Sequence, residues 1–372
     1  MNVLIVNLGS SSLKWRVYQV GGEGTAAAQV IAGGVESWSS SHDIHEQVVQ
    51  LLAKAPAIHM VGHRLVHGGL SGSQTRQLTP ESLAQLDEAA MFAPLHMIPA
   101  LALVRALFAI DPHLVQAAVF DTAFHQTLSK AASAYAVPEK WREEWGLRRF
   151  GFHGINVEYV VSRCHALFGR IPRRMIVCHL GSGSSITAVL DGISIDTTMG
   201  CTPLDGVTMS TRCGALDPGI LLYLIRTRQM SVDELEEALY HRSGLAGLSG
   251  GSGDLREVLL AAQSGDVPAS LAYAQLLLSY QRAIGSMAAV LGGIDALVFS
   301  GGIGEHNQRV RTDLASRLQF LGLRLDEDAN RRERSQVRDD CLSLPTSSVL
   351  IGVMSADEEV MILRKIVDWC TS

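Results

Sequence analysis

A chain of 372 residues with 47% hydrophobic and 18% charged side chains describes a folded globule, and its length calls for two domains of roughly 150–200 residues. The net charge of -6, with no Lys/Arg-rich run, excludes a partner such as nucleic acid. Six cysteines show no CxxC pair and no zinc-type spacing, and the start "MNVLIVNLG" lacks the basic region and cleavage site of a signal peptide. A cytoplasmic chain with reduced thiols and no membrane attachment is therefore expected.

In chain order, "VLIVN" and "LKWRVYQV" predict two short strands joined at a tight turn within residues 1–20. Gly21–Ser41 reads as a Gly/Ala/Ser-rich connection. Helical patterns follow near Ile44–Lys54, Pro80–Ala90 and Pro99–Ile110, and "VQAAVFDTAFH" is a buried strand ending at Asp121. A second hairpin, "RMIVCHLGSGSSITAVLDG", repeats the first: Leu8, Gly9, Ser10, Ser12 and Val17 recur 172 positions later as Leu180, Gly181, Ser182, Ser184 and Val189. Two Gly-Ser hairpins at half-chain spacing suggest a duplicated domain whose turns bind phosphate oxygens through N–H and hydroxyl groups. "STRCGALDPG" is a loop, and Ser231–Glu234 is a capping box. The apolar stretch from Ala269 is interrupted by Gln275, Gln281 and Arg282, which fits a buried helix better than a membrane span. "IDALVFSGGIGEHNQRVRTDL" reads as strand, Gly-rich turn and helix, "DEDANRRERSQVRDD" as a solvated surface, and the end as strand, turn and closing helix. Strands and helices alternate in both halves, so the class is α/β.

Other phosphate and nucleophile motifs fail on context. No Gly-Lys pair exists for a Walker A loop, and "SSLK" opens a strand-like segment without a K-T-G partner. "GLSGG" follows a helix instead of a strand, and "HRLVH" has Arg64 where a zincin needs its Glu base.

Taken together and in order, "NLGSSSLK", "GHRLVHGG", "APLH", "FDTAFH", "GFHG", "HLGSGSS", "DTTMGCTPLDGVTMSTRCGALDP", "SGSGDLRE", "GGIGE" and "ADEE" resemble the acetokinase family, within the larger group of actin, sugar kinases and heat-shock chaperones. The resemblance covers nearly the whole chain. It implies a duplicated two-domain actin-like ATPase fold with ATP in the interdomain cleft. It also implies an N-terminal acyl-substrate and phosphate domain over 1–150, rejoined by a closing helix at 355–372, and a nucleotide-binding domain over 151–354. The implied reaction is reversible transfer of the ATP γ-phosphoryl group to a short carboxylate, acetate first, with propionate or butyrate as alternatives, giving acyl phosphate and ADP. Magnesium (or manganese) is the implied metal, and a homodimer the implied assembly.

A carboxylate acceptor is already ionised, so such a site needs cations and positioning more than a base. By resemblance, Arg64 holds the acceptor carboxylate, while Arg212, His153 and Asp121 form the catalytic set, with Asp121 orienting Mg²⁺ or its waters. Val66, Leu95, Phe152 and Pro203 correspond to the acyl pocket, and Asn7 and Glu358 to the metal site. The nucleotide set is Lys14, the run His179, Leu180, Gly181, Ser182, Gly183, then Asp254, Leu255, Arg256, and finally Gly302, Ile303, Gly304, Glu305, His306. Ser182, Gly253 and His306 stand where the family carries Asn, which makes the chain a divergent member. The competing reading is a non-enzymatic, actin-like nucleotide switch. Paired Arg64 and Arg212 argue against it, because a switch needs no cationic acceptor site.

Overall fold

The structure, a computed structural model, describes residues 1–9, 12–21, 24–38, 44–70, 72–333 and 338–372. Ser10 and Ser11 of the first turn, residues 39–41 of the connection and 334–337 of the charged run lie outside the described residues. The chain divides into two compact units. The first comprises Met1–Gln126, His153–Tyr159 and Asp357–Ser372, and the second Thr127–Phe152 and Val160–Ala356.

The first unit is built on a sheet of β1 (Asn2–Leu8), β2 (Ser12–Gly21), β3 (Gly24–Ser37), β4 (Met60–Leu65), β5 (Arg76–Gln77) and β6 (Val115–Phe120), in the order β3-β2-β1-β4-β6-β5. β1, β4 and β6 run parallel, while β2, β3 and β5 are antiparallel to their neighbours. The expected connection at Gly21–Ser41 is mostly strand. Its order comes from a ladder with β2, Ser12 opposite Ser37 through Gly21 opposite Gly24, interrupted by register shifts. The helix expected from Pro99 starts at Pro94 instead and carries Pro99 inside it. Pro94 occupies the first helical position, where its missing N–H costs nothing, so it starts the helix earlier than Pro99 suggested. The closing helix Glu358–Thr371 buries Met361, Ile362, Leu363 and Ile366 against Val3, Ile5, Ala117 and Val119 of the sheet. That apolar stripe ties the chain's end to its first strand.

The second unit repeats the plan with β7 (Arg174–Leu180), β8 (Ser184–Leu190), β9 (Ile193–Thr197), β10 (Ala296–Ser300), β11 (Asp339–Cys341) and β12 (Leu350–Met354), ordered β9-β8-β7-β10-β12-β11. The strands occupy the same places in both sheets, so the duplication read from the hairpins extends to all six strands. Helix Val267–Leu291 packs Ala272, Leu276, Leu277, Tyr280, Ile284 and Met287 into a core with Ile176, Ile186, Leu297 and Ile351. Among the described residues no helix is long and apolar enough to cross a membrane.

Segment 127–150, assigned to the first domain from sequence, groups with the second sheet. Thr127 Oγ1 donates to Ser194 O at 2.6 Å, and Phe150 N–H to Gly200 O at 3.0 Å. Arg149 Nη1 donates to the carbonyls of Thr197, Thr198 and Met199 at 2.8–3.1 Å. These bonds bind the segment more strongly than its position in the chain suggested.

Candidate active site

In the first unit, three neighbouring parallel strands end together. Val6 lies level with His63, and Arg64 with Val119, so Asn7, Arg64 and Asp121 emerge side by side at the carboxyl ends of β1, β4 and β6. Asp121 N–H extends the ladder to Leu65 O at 3.0 Å. Arg64 grips the Asp121 carboxylate with both ends of its fork: Nε donates to Oδ1 at 3.0 Å and Nη2 to Oδ2. Its Nη1 donates to Asn7 Oδ1 at 3.3 Å, and Glu358 Oε2 lies 3.6 Å from Nε. Asn7 Nδ2 then donates to Glu358 Oε2 at 2.8 Å and Glu359 Oε1 at 2.9 Å. With its oxygen on the guanidinium and its nitrogen on two carboxylates, the amide has one orientation that satisfies all three. Arg16 closes the far side, donating to Asp357 Oδ1 at 2.6 Å, with Glu359 Oε2 at 3.8 Å.

Burial sets the electrostatics. Asp121 is 1% exposed, and burial pushes its carboxyl up, with Glu358 adding to the effect; Arg64 pulls it back only in part, leaving about 6. Burial disfavours the Arg64 charge, but Asp121 and Glu358 outweigh it and hold its pKa above the usual arginine value. Four carboxylates (Asp121, Asp357, Glu358, Glu359) face two guanidiniums (Arg16, Arg64), so the ionised cluster lacks two positive charges. Such a set of hard oxygen donors fits a divalent cation of the magnesium type. Among the described residues no three of His, Cys, Asp and Glu stand in metal-ligating geometry. A magnesium ion takes few protein oxygens, which one or two of these carboxylates would supply.

His153 stands at the start of helix Gly154–Phe168 in the left-handed region, φ 59°. For a side chain with a Cβ this costs roughly 1–3 kcal/mol, a strain that is found most often at functional sites. Gly154 N–H donates to Asp121 O at 2.8 Å, and a Cβ at Gly154 would collide with that same oxygen. Glycine therefore lets the helix start press on Asp121 and brings His153 next to it in the chain. Lys14 lies opposite Asn7 in the β1–β2 ladder and is exposed. Val66 is buried just after β4, and Leu95 is half exposed on the first turn of helix Pro94–Ile110.

In the second unit, His179 and Leu180 end β7, and the turn Gly181–Gly183 is closed by Ser184, whose hydroxyl accepts from Gly181 N at 3.2 Å and contacts Tyr280 OH at 3.2 Å. Ser300 pairs with His179 in the β10–β7 ladder, so Gly301-Gly302 begin beside that hairpin. The expected Gly-rich turn is itself a helix, Gly301–His306, holding Ile303, Gly304 and Glu305. Glu305 Oε1 accepts from Ala356 N at 2.9 Å. Asp254 caps helix Leu255–Gln263, accepting from Arg256 N at 2.8 Å, and its carboxylate pairs with Arg256. Ser210 N–H donates to Ser182 O at 3.3 Å, and Arg212 Nη1 to Pro203 O at 3.3 Å, while Phe152 is buried. Of the nucleotide set, Lys14 alone belongs to the first unit.

Sequence reading missed Arg16, Asp357 and Glu359. Of the acids in "ADEE", the resemblance points to Glu358 alone. The hidden signal was the acid run itself: Asp357 and Glu359 are 3% and 4% exposed, which an unpaired carboxylate would not tolerate.

The profile of the Acetokinase family matches residues 40–364. An acetate kinase of Rhodopseudomonas palustris is 39% identical, covering 98% of this chain and 97% of that one, and an acetate kinase of Gloeobacter violaceus is 38% identical over 98% of both. Two solved structures superpose with TM-scores of 0.86: Porphyromonas gingivalis acetate kinase (31% identity, 100% of both chains) and a propionate kinase from Francisella tularensis (33%, 98% of both). Full-length similarity at this level, joined to a duplicated fold that carries the expected motifs at its strand ends, places this chain in the acetokinase family.

Proposed function

We propose that this chain is an acetate kinase, transferring the γ-phosphoryl group of ATP to acetate to give acetyl phosphate and ADP, reversibly and with Mg²⁺. The observation that carries this reading is the largely buried Arg64, held by Asp121 and Asn7. A guanidinium has five N–H donors. Three are engaged by these two partners, which leaves two for a small carboxylate. An acetate oxygen attacks the γ-phosphorus in line, the bond to the β-phosphate oxygen breaks, and no proton has to move. Asp121, tied to Arg64, orients it and needs no role as a base. Arg212 and His153 are assigned to the charge that spreads over the transferring group. Glu358, oriented by Asn7, would hold Mg²⁺, which supplies charge neutralisation on the β,γ-phosphates. The Gly181–Gly183 turn and helix Gly301–His306 are assigned to the nucleotide, with Asp254-Leu255-Arg256 and Lys14. Val66, Leu95, Phe152 and Pro203 are assigned to the acetate methyl group.

The similarity to a propionate kinase supports a second acceptor reading. One methylene in an apolar pocket is worth only about 1–3 kcal/mol, so the two acids need measurement. A hydroxamate assay with ATP, Mg²⁺ and acids of two to five carbons decides it: acetate is expected to give the highest kcat/KM. Absence of acyl phosphate with every one of these acids would defeat the kinase reading.

A homodimer and a cytoplasmic setting complete the proposal. Helix Pro218–Arg228 buries none of its residues within this chain, yet Ile220, Leu222, Tyr223 and Ile225 are exposed on it and Leu216 precedes it. An apolar surface of that kind suits a two-fold partner. All six cysteines are free thiols, as a reducing compartment favours. Light scattering of Tyr223→Arg, which should shift a dimer toward monomer, tests the assembly.

A further inference from the structure

Among the described residues, the largest fully buried side chain is a cation, Arg311, on helix Gln308–Arg317. Its Nη1 donates to Gly304 O at 2.8 Å and to Glu305 O at 2.7 Å. Its Nε donates to Asn330 Oδ1 at 2.7 Å, and its Nη2 to Asn330 O at 3.1 Å. Asn330 is itself fixed, its Nδ2 donating to Gln308 O at 3.2 Å and Thr312 Oγ1 at 3.0 Å. Gly304 and Glu305 are in the last turn of the six-residue helix Gly301–His306, where carbonyls lack intrahelical partners. So short a helix is marginal alone, because nucleation costs more than one turn returns. A guanidinium at its carboxyl end satisfies two of those carbonyls and complements the helix dipole.

We propose that Arg311, seated by Asn330, is a positioning residue for nucleotide binding: it locks the carboxyl end of helix Gly301–His306 so that the backbone at Gly302–Gly304 is preorganised for ATP. The proposal rests on the assignment of that helix to the nucleotide. Arg311 reaches helix Gly301–His306 through the carbonyls of Gly304 and Glu305, so its effect on ATP passes through the backbone. An anchor of this kind changes affinity for the ligand of the segment it holds and leaves the acceptor site alone.

The test is Arg311→Met, which keeps length and apolar packing but removes the donors and leaves their acceptors unsatisfied, so folding is checked alongside. Steady-state rates are measured against ATP and against acetate, with a thermal melt as the folding control. KM for ATP is expected to rise about ten- to a hundredfold, with KM for acetate and kcat within about twofold. An unchanged KM for ATP in the folded variant, or equal rises in both KM values, overturns the proposal. Should Arg311→Met fail to fold, Asn330→Ala keeps the guanidinium and frees its Nε, and the same split decides. Wild-type protein that makes no acyl phosphate would count against the kinase reading, whereas a kinase whose variants show no split counts against Arg311 alone.

Discussion

At the carboxyl ends of β1, β4 and β6 the first sheet gathers Asn7, Arg64 and Asp121, hydrogen-bonded to one another and to a rank of acids on the closing helix. At the matching ends of β7, β10 and β12 the second sheet offers His179, Ser300 and a run of glycine backbone. The strand order is the same in both, yet the first end is dense with charge and the second is built on glycine backbone. Even the hairpins differ by a residue: Leu8 pairs with Leu13, but Leu180 pairs with Ser184. Strand order survived the duplication, while the turns and strand ends diverged. A charged cluster suits a metal ion and a small acid; glycine backbone suits phosphate oxygens.

The sharpest way to break this contrast is to remove a cation from each side. Arg64→Leu strands Asp121 as a buried, unpaired carboxyl, so unfolding free energy should fall by about 3–5 kcal/mol and kcat/KM by roughly a thousandfold. Arg212→Ala, which removes a donor to the Pro203 carbonyl, should lower kcat about a hundred- to a thousandfold while denaturation and nucleotide KM stay near wild type. Equal losses of stability in the two variants would erase the distinction.

A smaller effect follows from Asp121. Its folded pKa, about 6, lies above the ordinary carboxylate value of about 3.9, so the native state holds the proton more tightly than the unfolded chain. That contribution is fully present below about pH 4 and is lost as pH rises through about 6. Without Mg²⁺, the stability of wild type relative to Asp121→Asn should therefore drop by on the order of 1–3 kcal/mol between about pH 4 and 7. Urea titrations check this, and a difference independent of pH would show that Asp121 is not perturbed. Because ionised Asp121 adds to the negative excess, Mg²⁺ should raise the melting temperature more at about pH 7.5 than at about pH 5.

The smallest effects probe the divergent positions on the nucleotide side. Ser182 is exposed, so Ser182→Asn should leave stability unchanged and raise turnover a fewfold. At Gly253 a Cβ would lie 2.8 Å from Ser210 O and 3.2 Å from Thr211 Cγ2, so Gly253→Asn should cost about 1–3 kcal/mol in a denaturant melt. A well-folded Gly253→Asn would show that the loop has room that the backbone denies it.

Much of this was legible beforehand because it rested on local patterns. The 172-position repeat gave two first strands that begin and end in step, Asn2–Leu8 and Arg174–Leu180. The capping box at Ser231 and Glu234 formed, the interrupted apolar stretch became the buried helix Val267–Leu291, and Asp121 ended its strand. What stayed hidden depended on partners distant in the chain. β3 lacks a strand signature because its order comes from β2. Asn330 sat in a charge run read as solvated surface, but Arg311, nineteen residues earlier, draws it inside. Arg16 gave no sign of Asp357, a pairing that spans almost the whole chain.

The account stands on Arg64 as the seat of the acceptor carboxylate. Phosphorus NMR of ATP, Mg²⁺ and acetate with wild type and with Arg64→Lys tests it most directly. Wild type should convert the γ-phosphate signal to acetyl phosphate, and Arg64→Lys, which keeps the charge but loses the fork, should do so only at much higher acetate. Release of inorganic phosphate without acetyl phosphate, or an Arg64→Lys enzyme with unaltered acetate dependence, would contradict it.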